Sequence, residues 1–342
     1  MDRLASLDHR LPGGLEILFL AKHARSSGMA HATDGNHALY HYELRETLQG
    51  LGINLQTADD YHAVMERPYA DFVIPLLNRG GFQNSEMLAP LLLERSGVPF
   101  LGASSILRGI ADDKHAAKLA IAHAGVPTMA WQVYRRGNRD LLPPTFRTER
   151  LVVKPNNSSA SWGLAIVDGW AQAEPKVRAL QAQGHDVIVE RWVPEVDIGV
   201  PVIGGADGQP VILPPLQYVH DPATCFRSYE EKRGLTGDAG DDRLEPVENP
   251  YLRCEIERLT YLAAQEFWPF DYGRFEFRYD PATGALRFME VNLSCNLWSR
   301  KTIARAAALV GISYPRLIEA ILAHSLERQG LLLAAEPSRI AA

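Results

Sequence analysis

The sequence predicts an α/β protein in which a small doubly wound parallel sheet is followed by two α+β lobes. Three observations carry that reading. Apolar runs and amphipathic stretches alternate through the amino-terminal third, a polar, proline-containing stretch GNRDLLPPTFRTER (137–150) interrupts them, and beyond it strand signals dominate.

In chain order, LEILFLA (15–21) reads as a buried strand, and HALYHYELRETLQGLG as a helix closed by its last glycine. ADFVIPLL (70–77), EMLAPLLLERSG and VPFLGAS continue as strand, helix and strand, the β-α-β-α-β order of a doubly wound sheet. DDKHAAKLAIAHAG reads as a helix with acidic residues in its first turn and Gly125 just past its end, followed by VPTMAWQVYR as a strand. Strands are then expected at RLVVKP, LAIVDG, VIVERWV, DIGVPVIG, VILPPLQYV, GRFEFRYD and ALRFMEVN, with helices over 171–183, 251–267 and 301–328. Residues 331–342 read as a frayed tail.

The 342 residues are 46% hydrophobic and 22% charged, enough apolar material for two or three packed lobes. A net charge of -6 and the lack of any basic block argue against a nucleic-acid partner, leaving small molecules. Cys225, Cys254 and Cys295 are far apart and fit neither a disulfide framework nor a zinc motif, as expected in a reducing cytoplasm. Neither a signal peptide nor a membrane span is legible, so a cytoplasmic protein without a membrane partner is expected.

The chemistry concentrates in a few stretches. LVVKPNNSSASWGL (151–164) runs a strand into Lys154 and a loop of small polar residues; a solvated turn is the ordinary alternative. GRFEFRYDPATGALRFMEVN reads as a hairpin whose alternation places Arg274 with Glu276 and Glu290 with Asn292. Hard oxygen donors of this kind suit Mg²⁺, the alternative being a solvated face with ordinary charge pairs. Lys114, in a helix first turn, is misplaced on dipole grounds unless an anion binds there too. With VIVERWV offering backbone to a purine edge, and with Phe226 and Lys232 in TCFRSYEEKRG, the set describes a nucleoside triphosphate held by charges.

From about residue 100 to 328 the chain resembles the ATP-grasp ligases, and among them the D-alanine:D-alanine ligase branch. The stretches that carry the likeness occur in the family's order: DK at 113–114, VVKP with the loop ending at Gly163, VIVERWV, YEEK, YGRFEF and MEVN. The resemblance implies a three-lobed ATP-grasp fold with lobes at 1–108, 109–193 and 194–330, a tail at 331–342, and a homodimer formed through the first lobe. It implies ATP as cofactor, with Lys114 and Lys154 on the α- and β-phosphates, Ser161 in a closing loop, and Lys232 on the γ-phosphate. Glu190, Trp192, Val193, Phe226 and Met289 would surround adenine, and Asp197 would bind ribose. Glu276, Glu290 and Asn292 would hold two Mg²⁺ ions, with Mn²⁺ as the alternative ion, while Arg274 neutralises the reacting acyl phosphate.

Some positions depart from the branch. Glu276 replaces an Asp, Ser159 stands in place of the phosphate loop's glycine, and Asn296 stands where the branch has a glycine whose amide holds the reacting oxygen. In the first lobe, LLNRGGFQNSE has Phe82 and Gln83 at acidic positions, and Lys22, His23 and Arg25 follow the first strand. Lys22, His23, Arg25, Arg79 and Asn296 are the candidate substrate residues, and a larger or more polar pair of substrates than D-alanine with itself is expected, at least one bearing an anionic group. His37 and His41, four apart, offer at most two metal ligands, and Cys295 has no partnered base and reads as a packed thiol. The expected activity joins a carboxylate to an amine through an acyl phosphate, releasing ADP. A thiol ligase or kinase on the same fold, or a non-catalytic ATP-binding module, are the alternatives.

Overall fold

The computed structural model describes residues 3–7, 10–77, 85–219 and 243–333. Three separate sheets organise them. In the first, β1 (Ile17–Leu20), β2 (Leu55–Ala58) and β3 (Phe72–Pro75) are all parallel in the order β2-β1-β3, with α1 (His37–Gly50), α2 (His62–Met65) and α3 (Leu88–Ser96) as its helices. Strand β2 corrects the sequence reading. Its residues, LQTA, are half-exposed edge positions and lack the apolar run that marks β1 and β3. The expected strand VPFLGAS makes only one parallel bridge, Val73 to Phe100, because Gly102 at φ 118° turns the chain away.

Helix α4 (Ser105–Asp112) was not legible, and it changes the next helix. Asp112 closes α4, while Asp113 is the N-cap of α5 (Lys114–His123), its carboxylate accepting the Ala116 N–H at 2.9 Å. The acidic residues expected inside the first turn therefore precede it, and Lys114 opens the helix directly after its cap. A four-stranded antiparallel sheet follows, in the order β4-β7-β5-β6, from β4 (Trp131–Tyr134), β5 (Arg150–Pro155), β6 (Ala165–Asp168) and β7 (Val187–Arg191). Alternation divides its faces. Leu151, Val153, Val187 and Val189 pack with Val177 and Leu180 of α6 (Gly169–Ala182), so Lys154 and Glu190 share the opposite face.

The third sheet has six strands. Its path is β11-β10-β8-β12-β13, with β9 paired to β8, from β8 (Val196–Gly204), β9 (Pro210–Ile212), β10 (Leu216–Tyr218), β11 (Leu244–Pro246), β12 (Tyr272–Asp280) and β13 (Ala285–Asn292). Residues 205–208 make the β8–β9 hairpin turn, as their GADG sequence suggests. Phe267, Phe270, Phe275, Phe277 and Phe288 are fully buried beneath the sheet with α7 (Pro250–Gln265), each worth about 1.5–3 kcal/mol of burial. The expected single helix over 301–328 is two, α8 (Thr302–Leu309) and α9 (Tyr314–Arg328), bent by 108° around Gly311 at φ 76°. Among the described residues no single helix is long and apolar enough to cross a membrane. Residues 331–333 do not fray: Leu331 and Leu332 pack on the core, and Leu333 N–H donates to the Arg10 carbonyl at 2.9 Å.

Candidate active site

The hairpin of β12 and β13 sets the geometry. Arg274 lies opposite Asn292 and Glu276 opposite Glu290, and the register slips by one residue after Glu276, which leaves Met289 as a bulge. The bulge turns Phe288 under the sheet, 0% exposed, while Glu290 and Asn292 remain together on the other face. Strict alternation would have kept Phe288 on the face of Glu290. Two carboxylates directly opposed repel one another unless a cation or donor lies between them. Here the Asn292 amide donates to both, at 3.3 Å each, and Arg274 Nε donates to Glu276 at 2.7 Å. Arg274 is held fully protonated: burial opposes its charge, but the Glu276 carboxylate outweighs burial.

The donor set fits a hard divalent ion. Glu276 and Glu290 would supply carboxylate oxygens, and Asn292, whose amide nitrogen here donates to both, would have to rotate to offer its oxygen. Lys114 Nζ lies 3.8 Å from Glu290 and donates to the Ser158 carbonyl at 2.7 Å, joining the hairpin to the small-residue loop. The loop is anchored at Asn156, which takes the Lys114 N–H on its carbonyl and the His115 N–H on Oδ1. Ala160 and Ser161, at φ 55° and 61°, hold left-handed conformations that non-glycine residues rarely adopt. The loop without an internal glycine thus stores strain at the residue expected to close on phosphate.

Beside it is a buried triad. Glu190 receives Lys118 Nζ at 2.9 Å and Lys154 Nζ at 2.6 Å, one on each oxygen. Burial alone would raise the Glu190 carboxyl, but Lys118 and Lys154 together bring it down to about 2. Burial also acts against Lys154, yet Glu190 and Glu290 hold its pKa above the usual value, whereas Lys118, completely buried over the Trp131 ring, is lowered by burial. Lys118 escaped the sequence reading. Its only signal is the i, i+4 spacing from Lys114 on α5, which puts both on one helix face. Glu86 and Asp112 were also missed. With Lys114, Ser158, Glu290 and Asn292 they line one polar cleft, where Ser294 Oγ donates to Glu86 and the Glu86 N–H donates to Asp112.

Other expected residues lie where the structure gives them different partners. Both Glu190 oxygens are engaged by lysines, so a purine would have to share them. Trp192 N–H donates to the Arg150 carbonyl, whose guanidinium lies 4.2 Å over the indole. Asp197 on β8 pairs with Arg278 at 2.8 Å, and Asn296 Oδ1 accepts the Trp298 N–H. The basic loop after β1 is largely neutralised: Lys22 and His23 both meet Asp34, at 2.5 and 3.0 Å, and Arg25 turns to Asp59 and the Thr57 carbonyl. His37 and His41 face each other edge-on at 5.9 Å, with His41 Nδ1 accepting the His23 N–H. Burial pushes the Cys295 thiol up to about 12, so it is a packed thiol rather than a nucleophile. Arg79, Phe82, Gln83, Phe226 and Lys232 lie outside the described residues.

The chain is similar to known proteins in sequence and in fold. The family described as D-ala D-ala ligase C-terminus matches residues 121–323. The D-alanine--D-alanine ligase of Glaesserella parasuis serovar 5 is 28% identical over 282 residues, 81% of this chain and 89% of that protein. A crystal structure of D-alanine--D-alanine ligase from Bacillus anthracis complexed with ATP shares the fold at a TM-score of 0.72 and 18% identity, covering 93% of this chain and 99% of that one. The VanG D-Ala:D-Ser ligase of Enterococcus faecalis aligns at a TM-score of 0.67 and 13% identity, covering 91% and 99%. Well over half of the sequence thus falls within one family, and the chain belongs to the D-ala D-ala ligase C-terminus family as an ADP-forming ATP-grasp ligase that makes carbon–nitrogen bonds.

Proposed function

We propose that the protein joins an amino-acid or peptide carboxylate to an amine in the cleft between Lys114, Lys154 and the β12–β13 hairpin, and that D-alanine is a poor substrate. The observation that carries the catalytic assignment is the charge layout. Lys114 and Lys154 form a cationic end and the opposed Glu276–Glu290 pair an anionic one, with Glu290 facing both lysines. A triphosphate with its divalent ions satisfies both ends at once.

In this reading Lys114 and Lys154 bind the α- and β-phosphates, the strained loop around Ser161 covers them, and the Val193 backbone meets adenine, with Asp197, oriented by Arg278, on the ribose. Two Mg²⁺ ions, or Mn²⁺, held by Glu276, Glu290 and Asn292, would offset the charge on the transferring phosphoryl group. The substrate carboxylate attacks the γ-phosphorus and ADP leaves. Arg274, released from Glu276, holds the acyl phosphate oxygens while the amine attacks the acyl carbon and phosphate departs. Closing of the cleft keeps water away from the acyl phosphate.

Support for a substrate other than D-alanine rests on Phe82 and Gln83 at positions where the branch is acidic; Lys22, His23 and Arg25, expected to favour an anion, are paired with Asp34 and Asp59 and add little. The test is ADP release across a panel of amino acids and dipeptides, singly and in pairs. The expected outcome is turnover on a pair other than D-alanine with itself. Robust ADP release on D-alanine alone would refute the substrate assignment, and no turnover on any pair would refute the ligase assignment to this cleft.

A further inference from the structure

We propose that His23, His31 and Asp34 form a binding site for one transition-metal ion, Zn²⁺ or a similar divalent cation, separate from the carboxylate hairpin. Each of the three has a ligand atom, and these atoms lie within 4.8 Å of one another. A tetrahedral Zn²⁺ with ligands at about 2.0–2.1 Å separates them by about 3.3 Å, so a closure of at most about 1.5 Å is needed. The exposed His31 supplies it.

The local fold brings these residues together with little reliance on the rest of the molecule. His31 and Gly35 exchange both backbone hydrogen bonds, at 2.9 and 2.8 Å, closing a tight turn that sets His31 beside Asp34. His23 reaches the same point from the end of β1. Its ring stands 4.7 Å from that of His31, its Nε2 lies 3.0 Å from Asp34 Oδ2, and its backbone N–H is held by the buried His41.

Nδ1 of His31 accepts the Thr33 and Asp34 N–H groups at 3.3 Å each and lies 3.1 Å from Thr33 Oγ1, long contacts that ion binding through either ring nitrogen gives up. Two imidazoles and one carboxylate favour Zn²⁺ over Mg²⁺, the reverse of the all-oxygen hairpin. Lys22, 2.5 Å from Asp34, is one competitor for its carboxylate. Its side chain is mostly exposed, so displacing it costs little. The site follows the carboxyl end of a parallel strand, where ligands of such sheets bind, and the neighbouring Tyr40 hydroxyl accepts the Leu297 N–H next to Asn296. Three protein ligands leave one position for water or for a substrate carboxylate or amine.

The experiment titrates Zn²⁺ into the chelator-treated full-length protein with excess Mg²⁺ present, by calorimetry, and repeats the titration with Co²⁺ by visible absorption. One ion per chain is expected, with tetrahedral Co²⁺ bands lacking sulfur charge transfer. His23→Ala, His31→Ala and Asp34→Asn should each weaken binding by about tenfold or more. His37→Ala should leave it unchanged, and Lys22→Ala should tighten it. His31 is exposed, so its variant stays folded and informative. Absence of stoichiometric binding, binding that survives all three substitutions, or weaker binding in Lys22→Ala overturns the proposal. None of these readouts depends on ligase turnover.

Discussion

Glu190 shows at the scale of one residue how charge and burial compete. Its carboxyl titrates at about 2 rather than the usual 4.5, because two lysines outweigh the cost of burial. The folded state therefore gains from this group above about pH 4.5 and loses that gain as pH falls toward 2, about 3 kcal/mol in all. Urea unfolding of the native protein between pH 6 and 3 should show the loss. Glu190→Gln should flatten that slope and cost about 3–5 kcal/mol at neutral pH, since Lys118 is left charged with 0% exposure. Lys154→Ala addresses the ligand instead. A charge-assisted phosphate contact is worth about 1.5–3 kcal/mol, so the affinity for a non-hydrolysable ATP analogue should fall about ten- to a hundredfold by calorimetry. Unchanged affinity would return Lys154 to a purely structural pairing with Glu190.

The β12–β13 hairpin is the element on which the chemistry depends, and it predicts effects of opposite sign. Glu290→Gln removes a like-charge pair across the strands, so thermal stability should hold or rise by up to about 1 kcal/mol. Turnover in Mg²⁺ should nevertheless fall by about a hundredfold or more, because the charge that binds the ion is lost. Full activity would remove the hairpin from the site. Helix α5 gives a second test through its cap. Asp113→Ala should cost about 1 kcal/mol of stability and also weaken binding of the ATP analogue, since the cap sets the direction of Lys114. Asn249→Ala, an equivalent cap on the distant α7, should cost stability alone.

Over the described residues, the first sheet and the third share a core: Phe19 and Phe72 belong to one cluster with Ile203, Leu216 and Tyr272, and with Ile303, Leu317 and Leu322 of α8 and α9. Asp271 fixes that junction, fully buried just before β12. It accepts the Gly102 N–H at 2.6 Å, Ser325 Oγ at 2.5 Å and Arg328 Nε at 3.0 Å. Asp271→Ala leaves these donors unmatched and should destabilise by about 3 kcal/mol or more, read as a lower urea midpoint. We propose that lobes at 1–108, 109–193 and 194–330 meet at this junction and at the cleft.

What the sequence determined by itself was whatever rests on local periodicity and residue chemistry. The alternation in GRFEFRYD and MEVN paired Arg274, Glu276, Glu290 and Asn292 correctly, and the run into Lys154 was a strand, because a period of two and a short turn are properties of adjacent residues. Strand β2 was lost because an edge strand needs no apolar run, and the break at Gly311 because a continuing apolar pattern hides a bend. Tertiary structure alone decided which charges meet. Lys118 joined Glu190 from a helix 72 positions away in a sequence without any shared motif, and Lys22 was neutralised by Asp34 across a turn. Pairing between distant charges is set by the desolvation each suffers on packing, and that energy exists only once the chain has closed around them.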